Sequence, residues 1–176
     1  MADPVTEQIS ARPDWQRAGK DPAELRETAQ RLVEDAVGNR IPFGALHKEQ
    51  KTIVIFVRHF LCYVCKEYVE DLGKIPKKFL QDANVRLVVI GQSAHHHIKP
   101  FCNLTGYHHE MYVDPGREIY RLLGMKRGEA SNSAGNEIHF VYLDQNRLDH
   151  VPINTVLQLA GVQTVDFTCR SQIIDV

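Results

Sequence analysis

The sequence predicts an α/β fold: a mixed sheet with a parallel core, an antiparallel edge, and helices on both faces. Three observations predict it. Ile53-Val54-Ile55-Phe56-Val57 and Val85 to Ile90 are continuous apolar runs, the pattern of strands covered on both faces. Segments of helical periodicity separate the strands in the order β-α-β-α-β-α. Near the C-terminus Ile138 to Leu143 and Leu148 to Val151 flank a turn at Asp144 to Asn146, which reads as a hairpin before a last helix.

Residues 1–20 are polar and aperiodic and read as a flexible arm. Asp21-Pro22 opens a helix, with Asp at the cap and Pro in the first position, that continues from Ala23 to Arg31. Leu32 to Val37, a turn at Gly38-Asn39, and Arg40-Ile41-Pro42-Phe43 read as a small hairpin, with helix through Val37 the competing assignment. Strand 52–57 precedes a helical stretch over 62–80 that Gly73 and Pro76 break in two. Val85 to Ile90 ends at Gly91, and the helix centred on 97–104 accommodates Pro100 only in its first turn. Glu110 to Val113 is a short strand stopped by Asp114-Pro115-Gly116, and Arg117 to Leu123 a short helix. Glu129 to Ala134 reads as a flexible connection without a motif, and Ile153 to Ala160 as the last helix. One domain is expected over 21–165, with a tail over 166–176.

The 176 residues suffice for a sizeable core, and 43% hydrophobic with 24% charged residues is ordinary for a globular chain. A net charge of -1 advertises neither nucleic acid nor an anionic membrane as partner. No apolar stretch approaches the roughly 20 residues of a membrane helix. Met1-Ala2-Asp3-Pro4 shows no secretory signal. Four cysteines need no structural disulfide framework in a chain of this size, so a reducing cytosol or nucleus is the expected setting. There a close cysteine pair is redox-active or metal-binding more often than structural.

Such a pair follows the first buried strand: Cys62-Tyr63-Val64-Cys65, a C-x-x-C at a strand-to-helix junction. The junction exposes the sulfurs, and the helix N-terminus favours a thiolate. Projected at about 100° per residue, Leu61, Val64, Cys65, Tyr68, Leu72 and Ile75 share one face, opposite Lys66, Glu67, Glu70 and Asp71. Cys65 falls inside the apolar stripe and Cys62 at its border in the first turn. The division suits an accessible attacking thiolate at Cys62 and a sheltered resolving thiol at Cys65, with two inert core residues as the bland alternative. Arg58, His59 and Lys66 are candidate electrostatic supporters. Zinc is disfavoured, because consecutive histidines at 95–97 and 108–109 diverge rather than converge on a metal. Cys102 reads as core and Cys169 as a tail residue.

The run Phe56-Val57-Arg58-His59-Phe60-Leu61-Cys62-Tyr63-Val64-Cys65-Lys66-Glu67-Tyr68 resembles the peroxiredoxin-like 2 group of the thioredoxin-like superfamily, of AhpC/TSA antioxidant type. Val89-Ile90-Gly91-Gln92-Ser93, Tyr112-Val113-Asp114-Pro115 and Gly124-Met125-Lys126-Arg127-Gly128 extend the resemblance, which spans most of residues 40–176. It implies a thioredoxin-like three-layer α/β/α sandwich with a mixed central sheet, and an antioxidant or thiol-redox role. The peroxidase motif of true peroxiredoxins, P-x-x-x-S/T-x-x-C, meets Ile55 and His59 when counted back from Cys62, and Arg58 and Cys62 when counted back from Cys65. Low peroxidase efficiency is therefore expected. Proteins of this group are expected to carry a longer segment where this chain has Glu129 to Asn136.

Two functions follow as expectations. The first is a thiol oxidoreductase, needing no cofactor or metal, that acts on a peroxide or protein disulfide and is recycled by an external thiol. The second is a non-catalytic, redox-responsive module read by a signalling protein partner.

Overall fold

The computed structural model describes residues 22–123, 131–134, 141–143 and 152–165. The expected arm over 1–20 and tail over 166–176, Cys169 included, lie outside the described residues. In chain order the elements are Pro22–Gln30 (α1), Leu32–Glu34 (β1), Arg40–Pro42 (β2), Phe43–His47 (α2), Lys51–Phe56 (β3), Tyr63–Gly73 (α3), Lys77–Asp82 (α4) and Val85–Gly91 (β4). A 3-10 turn at His95–His97 leads into Ile98–Thr105 (α5). Then come Glu110–Val113 (β5), Glu118–Leu122 (α6), Ser131–Ala134 (β6), Val141–Leu143 (β7) and Ile153–Leu159 (α7). The hairpin reading of residues 32–43 prevails over helix, because α1 stops at Gln30 and β1 pairs antiparallel with β2, Val33 opposite Ile41.

The described strands form one sheet in the order β2-β1-β5-β4-β3-β6-β7. β3, β4 and β5 run parallel, with Phe56 opposite Ile90 and Ile90 opposite Tyr112. Both flanks are antiparallel, β1 on β5 and β6 on β3.

The sequence reading of Glu129 to Ala134 as a connection is corrected here. Ser131–Ala134 is a strand along β3, with Val54 opposite Ser133. β3 would otherwise present a row of unpaired backbone donors and acceptors to its free side. Backbone pairing needs no particular side chain, so Ser-Asn-Ser-Ala carries no periodicity that betrays it. β7 takes up the far side of β6, Asn132 opposite Tyr142. The expected return strand Leu148 to Val151 lies outside the described residues.

Alternation along β3 and β4 divides the core between the two sheet faces. Ile53, Ile55, Val57, Leu87 and Val89 pack with Cys65, Val69 and Leu72 of α3, Phe101 of α5 and Val156 and Leu157 of α7. Val54, Phe56, Val88 and Ile90 pack on the other face with Phe43, Leu46, Ile119 and Tyr120. Burying each such side chain contributes about 1.5–3 kcal/mol. Tyr120 is 0% exposed, and its hydroxyl lies between the carbonyls of Val57 (2.6 Å) and Ile90 (2.8 Å), which share its one proton. It thereby ties the C-terminal ends of β3 and β4 together.

Gly91 is required by space rather than torsion. A Cβ there would stand 2.4 Å from Cε1 of Phe60, whose ring stacks on Phe101 at 4.4 Å between centroids. Gly91→Ala is expected to push Phe60 out of the stack and cost about 1–3 kcal/mol. Urea denaturation checks this: an unchanged midpoint would show that the ring has room to move.

Candidate active site around the cysteine pair

Beyond β3 the chain follows β4 for two more residues. Val57 N–H donates to the Ile90 carbonyl (2.8 Å), and Gln92 N–H to the Arg58 carbonyl (3.3 Å). The Phe60 N–H donates to Ser93 Oγ at 3.0 Å, and the Cys62 N–H to the His59 carbonyl at 3.1 Å. This anchored loop delivers Cys62 to the N-cap of α3, extended at φ -75 and ψ 118, with its carbonyl accepting the Lys66 N–H at 3.0 Å.

The helix begins at Tyr63, so Cys62 caps it rather than standing in its first turn, and the expected stripe is buried at Cys65, Leu72 and Ile75, with Val69 added. Leu61, expected on the apolar face, is 92% exposed because it sits in the turn before the helix rather than on it. Tyr63, on the other side of Cys62, is 68% exposed.

The two sulfurs have opposite environments. Cys62 is half-buried and Cys65 wholly buried. Burial by itself raises the Cys62 thiol. The N–H of Cys65, the Cys65 thiol, the N–H of Val64 and the Arg58 charge together outweigh that and leave it below its ordinary value. The Cys62 side chain closes no capping hydrogen bond of ordinary geometry, so the two N–H groups act by proximity, as the positive end of a helix does. At Cys65 burial dominates; with the neighbouring Cys62 sulfur it overcomes the Arg58 N–H and pushes the thiol up to about 12. Of the two sulfurs, the surroundings therefore favour the thiolate at Cys62 and the thiol at Cys65.

A pH profile follows from the sign of the Cys62 shift. Below the ordinary thiol range more Cys62 is ionised than in a free cysteine, so iodoacetamide should alkylate it faster at pH 7 than a denatured control. The rate should fall only as pH drops through the lowered value. A profile matching the denatured chain would contradict the shift.

Among the proposed supporters, Arg58 acts on both cysteines. Lys66 is paired with Glu70 at 2.7 Å, and His59 is exposed. Cys102 is half-buried against the core, with its thiol pushed up by burial and its sulfur 3.7 Å from that of Met111. His95 lies 3.2 Å from Glu34 through Nδ1, and His109 Nε2 lies 2.9 Å from the Ile75 carbonyl. Three polar residues that the sequence reading passed over also gather at these strand ends: Gln92, Arg117 and Tyr120. Their signal was positional: Gln92 directly follows β4, and Arg117 comes a turn after β5.

The AhpC/TSA antioxidant enzyme family matches residues 72–151, downstream of both cysteines. Peroxiredoxin-like 2C of Homo sapiens is 48% identical over 221 aligned positions, covering 98% of this chain and 98% of the human protein. The chain belongs to the peroxiredoxin-like 2 family. An alignment of 221 positions against 176 residues means that the human relative carries segments this family member lacks. Prostamide/prostaglandin F synthase of Xenopus tropicalis is 34% identical over 100 residues, which is 56% of this chain and 49% of that protein. Among solved structures, Peroxiredoxin Q of Xanthomonas campestris superposes with a TM-score of 0.63 at 13% identity, covering 81% of this chain and 93% of that one. The fold is thus thioredoxin-like, and family and fold together support a redox role. No described helix is long and apolar enough to cross a membrane.

Proposed function

We propose that this family member is a thiol-disulfide oxidoreductase of low peroxidase efficiency, with Cys62 attacking and Cys65 resolving. The observation that carries the reading is the placement of the pair, Cys62 half-buried at the N-cap of α3 and Cys65 wholly buried in the core, which draws the thiol pKa down at Cys62 and up at Cys65. With a peroxide ROOH, the Cys62 thiolate bonds to one oxygen, the O–O bond breaks, and RO⁻ takes a proton to leave as ROH. The sulfur of Cys65, losing its proton, then attacks the Cys62 sulfenic acid; water leaves and the disulfide forms. An external thiol returns both cysteines to the reduced state by exchange. A protein disulfide can replace the peroxide, with a mixed disulfide as the first product. Low efficiency follows from position 59, where an exposed histidine stands in place of the peroxide-binding hydroxyl.

The test is oxidation of the reduced chain by one equivalent of hydrogen peroxide, quenched at intervals by alkylation and mapped by mass spectrometry. A Cys62–Cys65 disulfide forming ahead of any change at Cys102 supports the reading. Oxidation no faster than that of an ordinary thiol defeats it. The exposed Leu61 and Tyr63 beside Cys62 favour one second reading, a partner-docking surface that responds to oxidation. Partner affinity that changes with the redox state, without turnover, would distinguish it.

A further inference from the structure

Four buried side-chain donors among the described residues have no hydrogen-bond partner: Arg58 Nε, Gln92 Nε2, and Nε and Nη2 of Arg117. Buried donors are satisfied in the great majority of cases, and an unpaired cationic donor is among the costliest exceptions. These four are not scattered. Arg58 and Gln92 lie two residues beyond Phe56 and Ile90, which are paired in register and belong to the Tyr120 face of the sheet. Alternation turns Arg58 and Gln92 to that same face. The third parallel strand supplies Arg117: Asp114 N–H donates to the Gly91 carbonyl at 2.9 Å, and the Arg117 guanidinium carbon lies 5.9 Å from the Tyr120 ring centroid. Gln92 approaches the Tyr120 oxygen closely enough to act on it electrostatically, yet its Nε2 closes no hydrogen bond. The fully buried Tyr120 is thus a floor shared by Gln92 and Arg117. The place is also the expected one, since open α/β sheets bind ligands outside the carboxyl ends of their parallel strands.

The backbone at Arg117 is set for this. Its φ of 55 and ψ of 28 are left-handed, a region that arginine rarely adopts, while the neighbouring Gly116 does not take it. The two unpaired atoms Nε and Nη2 form one edge of the guanidinium. Elsewhere in the molecule Arg86 shows what that edge binds: its Nε and Nη2 donate to the two carboxylate oxygens of Glu110. Arg117 presents the same edge with no acceptor. The nearby buried carboxylate of Asp114 is already engaged, accepting from the N–H groups of Glu118 (3.2 Å) and Ile119 (2.9 Å).

We propose that Arg117, Gln92 and Arg58 form a carboxylate-binding subsite adjoining Cys62. The Arg117 edge takes the two oxygens, and Gln92 and Arg58 complete the cradle. Arg58, whose charge acts on both cysteines, joins the subsite to the thiols. Resting on the thiol chemistry proposed above, the subsite would select a peroxide or disulfide that carries a carboxylate a short chain away from its reactive bond.

The test is a titration of the full, reduced, ¹⁵N-labelled chain at constant ionic strength, following the arginine Nε–H resonances. Butyrate is the probe, butyramide the uncharged control, and inorganic phosphate the alternative oxyanion. The expected result is a saturable shift of the Arg117 resonance with butyrate and none with butyramide. Arg117→Asn retains a residue that tolerates the left-handed backbone. It should weaken butyrate binding about tenfold or more, the scale of a lost charged hydrogen-bond pair. No saturable shift in the unmodified chain would overturn the subsite, as would phosphate binding as tightly as butyrate. No thiol step enters the titration, so a negative result leaves the oxidoreductase reading standing. Slow Cys62 oxidation with butyrate binding intact would defeat that reading and not the subsite.

Discussion

Cys62→Ser is expected to reduce peroxide-driven turnover to background, while Cys65→Ser is expected to retain the first oxidation and stop there. The asymmetry is the expected signature of the pair. Serine offers no appreciable anion at neutral pH, so nothing replaces the thiolate that the α3 N-terminus and Arg58 favour at position 62. In Cys65→Ser the attacking sulfur remains but loses its resolving partner. The product should accumulate as a sulfenic acid, captured by a dimedone adduct of one per chain, or as a mixed disulfide with added thiol. Mass spectrometry of the two variants after one equivalent of hydrogen peroxide checks both statements. Equal residual turnover in the two would end the assignment of roles.

Tyr120→Ala is expected to be the most damaging single change in the described core, at about 3–5 kcal/mol for a buried aromatic truncation. The ring packs edge-on against Phe56 at 5.2 Å, and the hydroxyl holds the carbonyls of Val57 and Ile90. A loss of this size is a large share of the roughly 5–15 kcal/mol by which domains are stable. Tyr120→Phe separates the two contributions: it keeps the ring and removes the hydroxyl, for about 0.5–1.5 kcal/mol. Urea melts read both, with an unchanged slope confirming that stability alone has moved. The Phe variant should also speed amide exchange at Gln92, whose N–H bond to Arg58 depends on the strand ends staying together. If Tyr120→Phe matches the Ala variant, the hydroxyl rather than the ring holds this end of the sheet.

Much of this architecture could be read from residue pattern. The continuous apolar runs of β3 and β4 have only one use in a chain this size, because a segment apolar on both faces must be covered on both. Gly73 and Pro76 separated α3 from α4 for local reasons, a missing side chain and a missing donor. Pro100 was equally legible, since α5 begins at Ile98 and holds it in the first turn. β6 escaped because its cause is not local: Ser131 to Ala134 became a strand when β3 offered an unpaired edge. Leu61 escaped because a projection holds only for residues on the helix, and the helix starts at Tyr63, two residues beyond it.

By itself the sequence determined that a C-x-x-C stands where a buried strand gives way to a helix. Residue order along one stretch of chain contains that whole statement. Residue pattern also put Cys65 in the apolar stripe and Cys62 at its border, but how far each sulfur is covered, Cys65 wholly and Cys62 by half, was set by the tertiary structure that packs over them. That structure alone brought Arg58, Gln92 and Arg117 to one end of the sheet. Three parallel strands, distant in sequence, end side by side because their backbones must hydrogen-bond in register, and no local pattern records which residues that register will make neighbours.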